Sequence, residues 1–490
     1  MNMKVDNKKI VTLYIPMCWW ILMGILATRF FVNPPPFEII ESDKDWLIWK
    51  ILAYNIGFFA SGAIIFKVFH SLFLIFLQKD AVYKEIFTYT MFYLVIMSGL
   101  VFLKQIIDPL YTGDELQFYL NALNLYPFLC MMTSQVYIIS LFLLPVSISP
   151  LLIKAVFHAF VVGYIVGQAR IYYKTRWAYL LFGIFMSGPV LRESMKIHRM
   201  QWYALLYVLV AVKLYYDNKE KKNMNYHTVL CMCFFVSLLT IWRREGIYLF
   251  VLGLLGILFV YGANVNRKKI VISFFIIDLL CFTPVVIHET QAQFSEAGTT
   301  WQAWAVHMCG VSGLDREKNE SALSKISQKL SMEIVDRYNS EVGEERYYEA
   351  YWAWPVPRYK GGRYYAVIKG IPEEKEILFR QGVMELILKN PFIFLKSRVN
   401  AWNATAAKSN MNNLYVPLFI CIGIAFYSLK KHEYLLAGIF WGVLCHCTLT
   451  VIAMPVSYFK YFYEMYLIAY VFGIILLIKN ILLRRNRERE

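Results

Sequence analysis

No glycine-rich phosphate loop, no HExxH pair and no nucleophile elbow occurs in the 490 residues. None of the familiar nucleotide-binding, zinc-hydrolase or serine-hydrolase signatures is therefore available. No internal repeat is visible, which argues against a transporter built from two matched halves. Cysteine occurs nine times, mostly inside apolar runs; only Cys309 lies in the large polar segment, so no disulfide framework is indicated. Cys231-x-Cys233 and Cys445-His446-Cys447 fail as metal ligands because consecutive helical residues point apart, and no metal site is expected. Acidic residues are few, 34 against 50 Lys and Arg, for a net charge of +16. That excess sits at the ends of apolar runs, as in the cytoplasmic loops of membrane proteins, so nucleic acid is not an expected partner.

What fills the chain is apolar: 58% hydrophobic and 17% aromatic residues, with a mean hydropathy of +0.46. Apolar runs of ~20 residues, the length that spans a bilayer as a helix, recur from Val11 to Leu483. The expected fold class is all-α: a polytopic membrane protein of about twelve transmembrane helices, with outer-face juxtamembrane helices and one large extracytoplasmic loop. Lys4, Lys8 and Lys9 place the N-terminus in the cytoplasm before an uncleaved first span at Val11–Phe31, and Arg484, Arg485 and Arg487 anchor the tail on the same side. Leu125–Leu144 is apolar enough to cross, but counting it would move Arg170, Lys174 and Arg176 to the outside. Asp114–Pro145 is therefore read as an outer-face hairpin. Four regions follow: the first spans in 1–107, juxtamembrane helices with core spans in 108–288, the loop domain in 289–412, and the last spans with a basic tail in 413–490. Core spans are expected at Trp177–Val190, Gln201–Tyr216 and Thr228–Trp242 among others.

Four outer-face segments hold the candidate site. The first is Tyr111-Thr-Gly-Asp-Glu-Leu-Gln-Phe-Tyr-Leu-Asn-Ala122. Asp114, Gln117, Asn121 and Asn124 recur at helical spacing, with Leu116, Leu120 and Leu123 on the opposite side. Thr112-x-x-Glu115 also fits a capping box, so Glu115 has a structural reading, which leaves Asp114 as the better candidate base. The second segment carries Arg192, Glu193, Lys196, His198 and Arg199 where outer loops are normally poor in cations. Its arginines suit a phosphate, with snorkelling charge as the plain alternative. The third is Arg243-Arg244-Glu245-Gly246, a local ion pair with one cation in surplus. The fourth, Tyr458 to Glu464, offers Lys460 as a phosphate contact among tyrosines of an aromatic belt. Trp301, Trp304, Tyr351, Trp352 and Trp354 enrich the large loop in rings that stack on sugars or fill a small core. From Pro372 a helical pattern begins, with Ile377, Leu378, Val383 and Leu386 as its apolar residues, and Asn319 and Asn403 head N-glycosylation sequons.

In order of features, this arrangement resembles the glycosyltransferase-C superfamily, whose branches include the dolichyl-phosphate-mannose protein mannosyltransferases and the aminoarabinose lipid A transferases. Asp114-Glu115 is similar to the first-loop Asp-Glu motif, and Ser187-Gly-Pro189 with Arg192-Glu193 to the second outer motif. Arg243/Arg244-Glu245-Gly246 looks like an Arg-x-Glu-Gly segment, and Lys460-Tyr461 stands where many members have Arg-Tyr. The aspartate follows span three here instead of span one, Tyr119 is displaced by one place, and Glu193 replaces the usual Asp.

The resemblance implies an inverting glycosyltransferase of a cell membrane; a bacterial plasma membrane is the expected one, with both termini cytoplasmic by the charge pattern. Its partners would be a polyprenyl-phosphate-linked sugar donor, a glycan, lipid or protein acceptor, and the membrane lipids. Asp114 and Glu115 would be the catalytic carboxylates. Arg192, Glu193, His198, Arg199, Arg243, Arg244, Lys460 and Tyr461 would hold substrate and phosphate. Branches of the family differ on a divalent metal, so that cofactor stays open. A lipid-linked sugar flippase and a polysaccharide polymerase are the rival expectations.

Overall fold

The computed structural model describes residues 9–31, 47–76, 81–107, 114–123, 131–196, 199–220, 225–291, 297–311, 313–341, 352–353, 364–407, 413–454 and 458–487. Among these residues the chain is helical, with one isolated antiparallel bridge between Leu330 and Val367. Among the described residues, six helices contain stretches long and apolar enough to cross a membrane: Ile10–Ala27, Asn55–Leu72, Val82–Lys104, Ser149–Tyr173, Tyr434–Ala453 and Phe459–Leu483. Large apolar side chains stay uncovered along them, including Val95 at 71% exposure. Water would not tolerate that surface, but lipid does. This is a helical membrane protein.

Two compact units divide the chain. The first holds α1 (Ile15–Phe31), α2 (Leu47–Phe76), α3 (Ala81–Ile107), α4 (Asp114–Leu123), α5 (Met131–Leu143), α6 (Ser149–Tyr173), α7 (Leu180–Phe185), α8 (Gly188–Ser194), α9 (Arg199–Glu220), α10 (Tyr226–Trp242), α11 (Leu249–Tyr261) and α12 (Arg267–Gln291). Helix α5, at 13 residues, is about 20 Å long, well short of the ~30 Å hydrocarbon layer. It packs on α2 and α4 through the ring contacts Phe58–Phe142 and Phe118–Tyr137.

Helices α3 and α6 run antiparallel, since Ile86 meets Gly167, Thr90 meets Gly163 and Tyr93 meets His158. Small residues at Ala155, Ala159, Gly163 and Gly167 repeat every fourth position of α6, which lets two backbones approach. A Cβ on Gly163 would lie 2.6 Å from the Thr90 amide nitrogen. Helix α9 is the central element. From Met200 to Tyr216 only Lys213 escapes full burial, as expected of a helix enclosed on every side.

The expected span at Trp177–Val190 is not one helix. A 3₁₀ turn at Arg176–Tyr179 leads into α7, Ser187 is extended, and α8 restarts at Gly188. Pro189 explains the restart: it cannot donate to a preceding turn but fits the first turn of a new helix.

The second unit spans Gln293–Gly423 and Phe440–Tyr466. Five helices, α13 (Ala297–Gly310), α14 (Glu320–Ile326), α15 (Met332–Glu341), α16 (Glu373–Lys389) and α17 (Pro391–Ala406), enclose the fully buried Trp352. Tyr351 and Trp354 lie outside the described residues. On α16 the buried face is Phe379, Gly382, Val383 and Leu386, while Ile377 and Leu378 are exposed. The remaining helices, α18 (Tyr415–Lys430), α19 (Tyr434–Ala453) and α20 (Tyr463–Arg487), are each shared between the units.

Candidate functional site

Helix α8 is only seven residues long, so its C-terminal carbonyls need partners from outside the helix. Lys154, fully buried on α6, supplies them. Its ammonium donates to the carbonyls of Glu193 at 3.2 Å and Ser194 at 3.0 Å, and to that of Lys196. Lys104, in the last turn of α3, donates to the Met195 carbonyl at 2.8 Å. Two lysines from antiparallel helices thus cap one turn. Cations at a helix C-terminus also oppose its negative dipole end.

Glu193 is buried in this turn. Its Oε1 accepts from Lys196 Nζ at 2.8 Å and its Oε2 from Gln201 Nε2 at 2.8 Å on α9. Arg192 Nε lies 3.9 Å from the same carboxylate, with its side chain half exposed. The buried carboxylate of Glu115 also acts on the Lys154 ammonium, as do Glu193, Lys104 and Lys196. The cluster therefore gathers Lys104, Lys154, Arg192 and Lys196 about Glu115 and Glu193. Positive charge is in surplus, which favours an anion nearby.

The third segment packs on α9. Arg243, buried, donates from Nε to Glu245 Oε2 at 3.3 Å and from Nη2 to Glu245 Oε1 at 3.2 Å. Its guanidinium carbon lies 5.6 Å from the Tyr203 ring centroid, and Tyr203 is two residues beyond Gln201. Gly246 is required here, because a Cβ would sit 2.5 Å from the Leu239 carbonyl oxygen.

Glu115, Arg192 and Glu193 are therefore gathered about Lys154 in the first unit, while Arg243 is held apart from them by Glu245 and Tyr203. Lys460 and Tyr461 belong to the second unit, where Lys460 Nζ stands 5.2 Å and 5.6 Å from the Tyr458 and Tyr461 rings. His198, Thr112 and the side chains of Asp114, Arg199 and Arg244 lie outside the described residues. In α4 the face turned inward is Glu115, Phe118, Tyr119 and Ala122, while Leu116 is exposed and Leu123 buried. The expected apolar side through Leu116, Leu120 and Leu123 does not form as one face. Spacings of three and four fit both stripes, and packing against α5 selects the one containing Glu115.

Lys154 is not among the residues expected from the sequence, and its signal there is an ionisable residue inside an apolar run. Two further buried sets lie in the second unit. His446 Nδ1 is 3.0 Å from Glu464 Oε1. Arg398 donates from Nη1 to the Met454 carbonyl at 3.2 Å and from Nη2 to His307 Nδ1. Burial, and then the Arg398 guanidinium, hold the His307 imidazole well below its ordinary pKa. Asn319 is buried and bonded to the Asp315 carbonyl and Asn390, so its sequon is closed in the folded chain. No family model, curated protein or solved structure matches the chain.

Proposed function

We propose that the protein is an integral-membrane glycosyltransferase that takes a sugar from a polyprenyl-phosphate carrier on the extracytoplasmic face. One observation carries the reading: the Glu115 and Arg192-Glu193 segments, 78 positions apart in the chain, meet around the buried Lys154 with cations in surplus. A cationic cluster beside lipid suits a lipid phosphate more than a neutral solute.

In the proposed reaction the acceptor hydroxyl oxygen attacks the anomeric carbon from the face opposite the phosphate. The anomeric C–O bond breaks, its electron pair leaves with the lipid phosphate, and configuration inverts. Asp114 takes the hydroxyl proton. Glu115, within the field of Lys154, positions the start of α4 and so acts through its neighbour. Arg192 and Lys196 stabilise charge growing on the departing phosphate, while Arg243 is held by Glu245 and Tyr203.

The wider topology belongs to the same proposal: about twelve crossings with both termini cytoplasmic. Its support is a shared end of the first unit. Lys219 and Lys479 both pair with Glu433, which lies between α18 and α19. Threading the chain with these three residues at the cytoplasmic face leaves the Lys154 cluster at the opposite face.

The test is purified protein in liposomes with radiolabelled polyprenyl-phosphate sugars. Release of lipid phosphate together with a labelled acceptor supports transfer. Movement of label across the bilayer with the sugar–phosphate linkage intact refutes it in favour of a flippase.

A further inference from the structure

Helices α16 and α17 carry an apolar face that no described residue covers. On α16 it runs through Ile377, Met384 and Leu388, and on α17 through Phe392, Leu395 and Val399. These positions fall at intervals of seven and four on α16 and of three and four on α17, so each set lies on one side of its helix. Phe392 is 83% exposed and Leu388 72%, adjacent to the corner at Asn390-Pro391. The opposite faces are satisfied by the core around Trp352, so the uncovered side is not needed for folding.

The place of α17 identifies what covers it. Arg398 bonds the carbonyl of Met454, one residue past the candidate span Tyr434–Ala453. Trp304, on α13, donates to the Ile452 carbonyl at 2.7 Å, at the end of that same span. The far end of α17 is fixed by Tyr415 Oη donating to Asn403 Oδ1 at 2.7 Å, where the apolar helix α18 begins. Phe392 is six residues from Arg398, about 9 Å along a helix, so the apolar face stands within two turns of a membrane boundary. Exposed Lys396 flanks it, where a long side chain reaches phosphate headgroups while its stem lies on acyl chains, and Lys389, also exposed, pairs with Glu385 Oε1 at 2.7 Å.

We infer that the α16–α17 corner is an interfacial anchor that inserts Leu388, Phe392, Leu395 and Val399 into the lipid leaflet at the Met454 end of the span. The partner is the bilayer surface. The anchor holds the α13–α17 domain down on the membrane at a second point besides its covalent connections. It does not depend on the glycosyltransferase reading.

The experiment places a photoactivatable benzoyl-phenylalanine at Phe392 in the full chain, reconstituted in phosphatidylcholine liposomes. Val95, uncovered on α3, is the lipid-facing control. Lys318, 84% exposed on a polar turn, is the aqueous control. Irradiation should give phospholipid adducts at 392 comparable with 95 and roughly ten-fold above 318, the pattern of an interfacial helix. Protein–protein adducts at 392, or lipid adducts no higher than at 318, overturn the anchor. A thermal melt of each labelled protein matching the unlabelled chain confirms that the comparison is between folded molecules.

Discussion

Lys154 is the residue on which the candidate site turns. A buried ammonium is costly unless its donors and its charge are both satisfied, and here three carbonyls and two carboxylates do so. Lys154→Met keeps the volume but strands the carbonyls at the end of α8 and removes a cation from beside Glu115 and Glu193. The expected loss is about 3 kcal/mol or more, read as a lower thermal midpoint in detergent, with Lys154→Arg losing less. His307 gives a second test through pH. Its folded pKa is depressed by burial and by Arg398, so the unfolded chain binds the proton more readily. Stability of the second unit should therefore fall as pH drops below about 6.5, the ordinary histidine value. His307→Gln, which keeps an acceptor without titrating, should flatten that part of a melting series between pH 7.5 and 5.5; an unchanged slope would remove His307 as the cause.

At the scale of elements, the helix ends were written in composition more plainly than the faces. Apolar run length placed Gln201–Tyr216 inside α9 and Thr228–Trp242 inside α10 to within a few residues, because polar residues at a bilayer boundary end the run. Trp177–Val190 was missed because hydropathy averages over Ser187-Gly188-Pro189, where backbone chemistry breaks the helix. Faces were harder. Leu116 and Ile377 look like core residues by type, yet both are exposed, since inside a membrane protein an apolar side chain is content on either side. The close α3–α6 contact supplies the test at this scale. Gly163→Ala should destabilise by about 1–3 kcal/mol although alanine favours helix, because Thr90 backbone blocks the new methyl. Gly183→Ala, with nothing within 4 Å, should be neutral in the same melt.

For the whole molecule, the legible part of the site was the set of polar segments; their meeting point was not, because Lys154 lies in an apolar helix 39 residues before Glu193. Charge at chain turns sets the proposed orientation. Cysteine labelling from either side of sealed vesicles should find positions 219 and 433 reactive from the cytoplasmic face and position 192 from the other; the reverse pattern for 192 would place the cluster on the wrong side for a polyprenyl carrier. The chemical proposal is then decided by one single-turnover comparison with a polyprenyl-phosphate sugar, using Asp114→Asn, Glu115→Gln and the unaltered chain in the same liposomes. The account predicts that Asp114→Asn loses about 10²-fold or more of transfer at an unchanged melting temperature, whereas Glu115→Gln loses stability as well. Near-normal transfer by Asp114→Asn would contradict it.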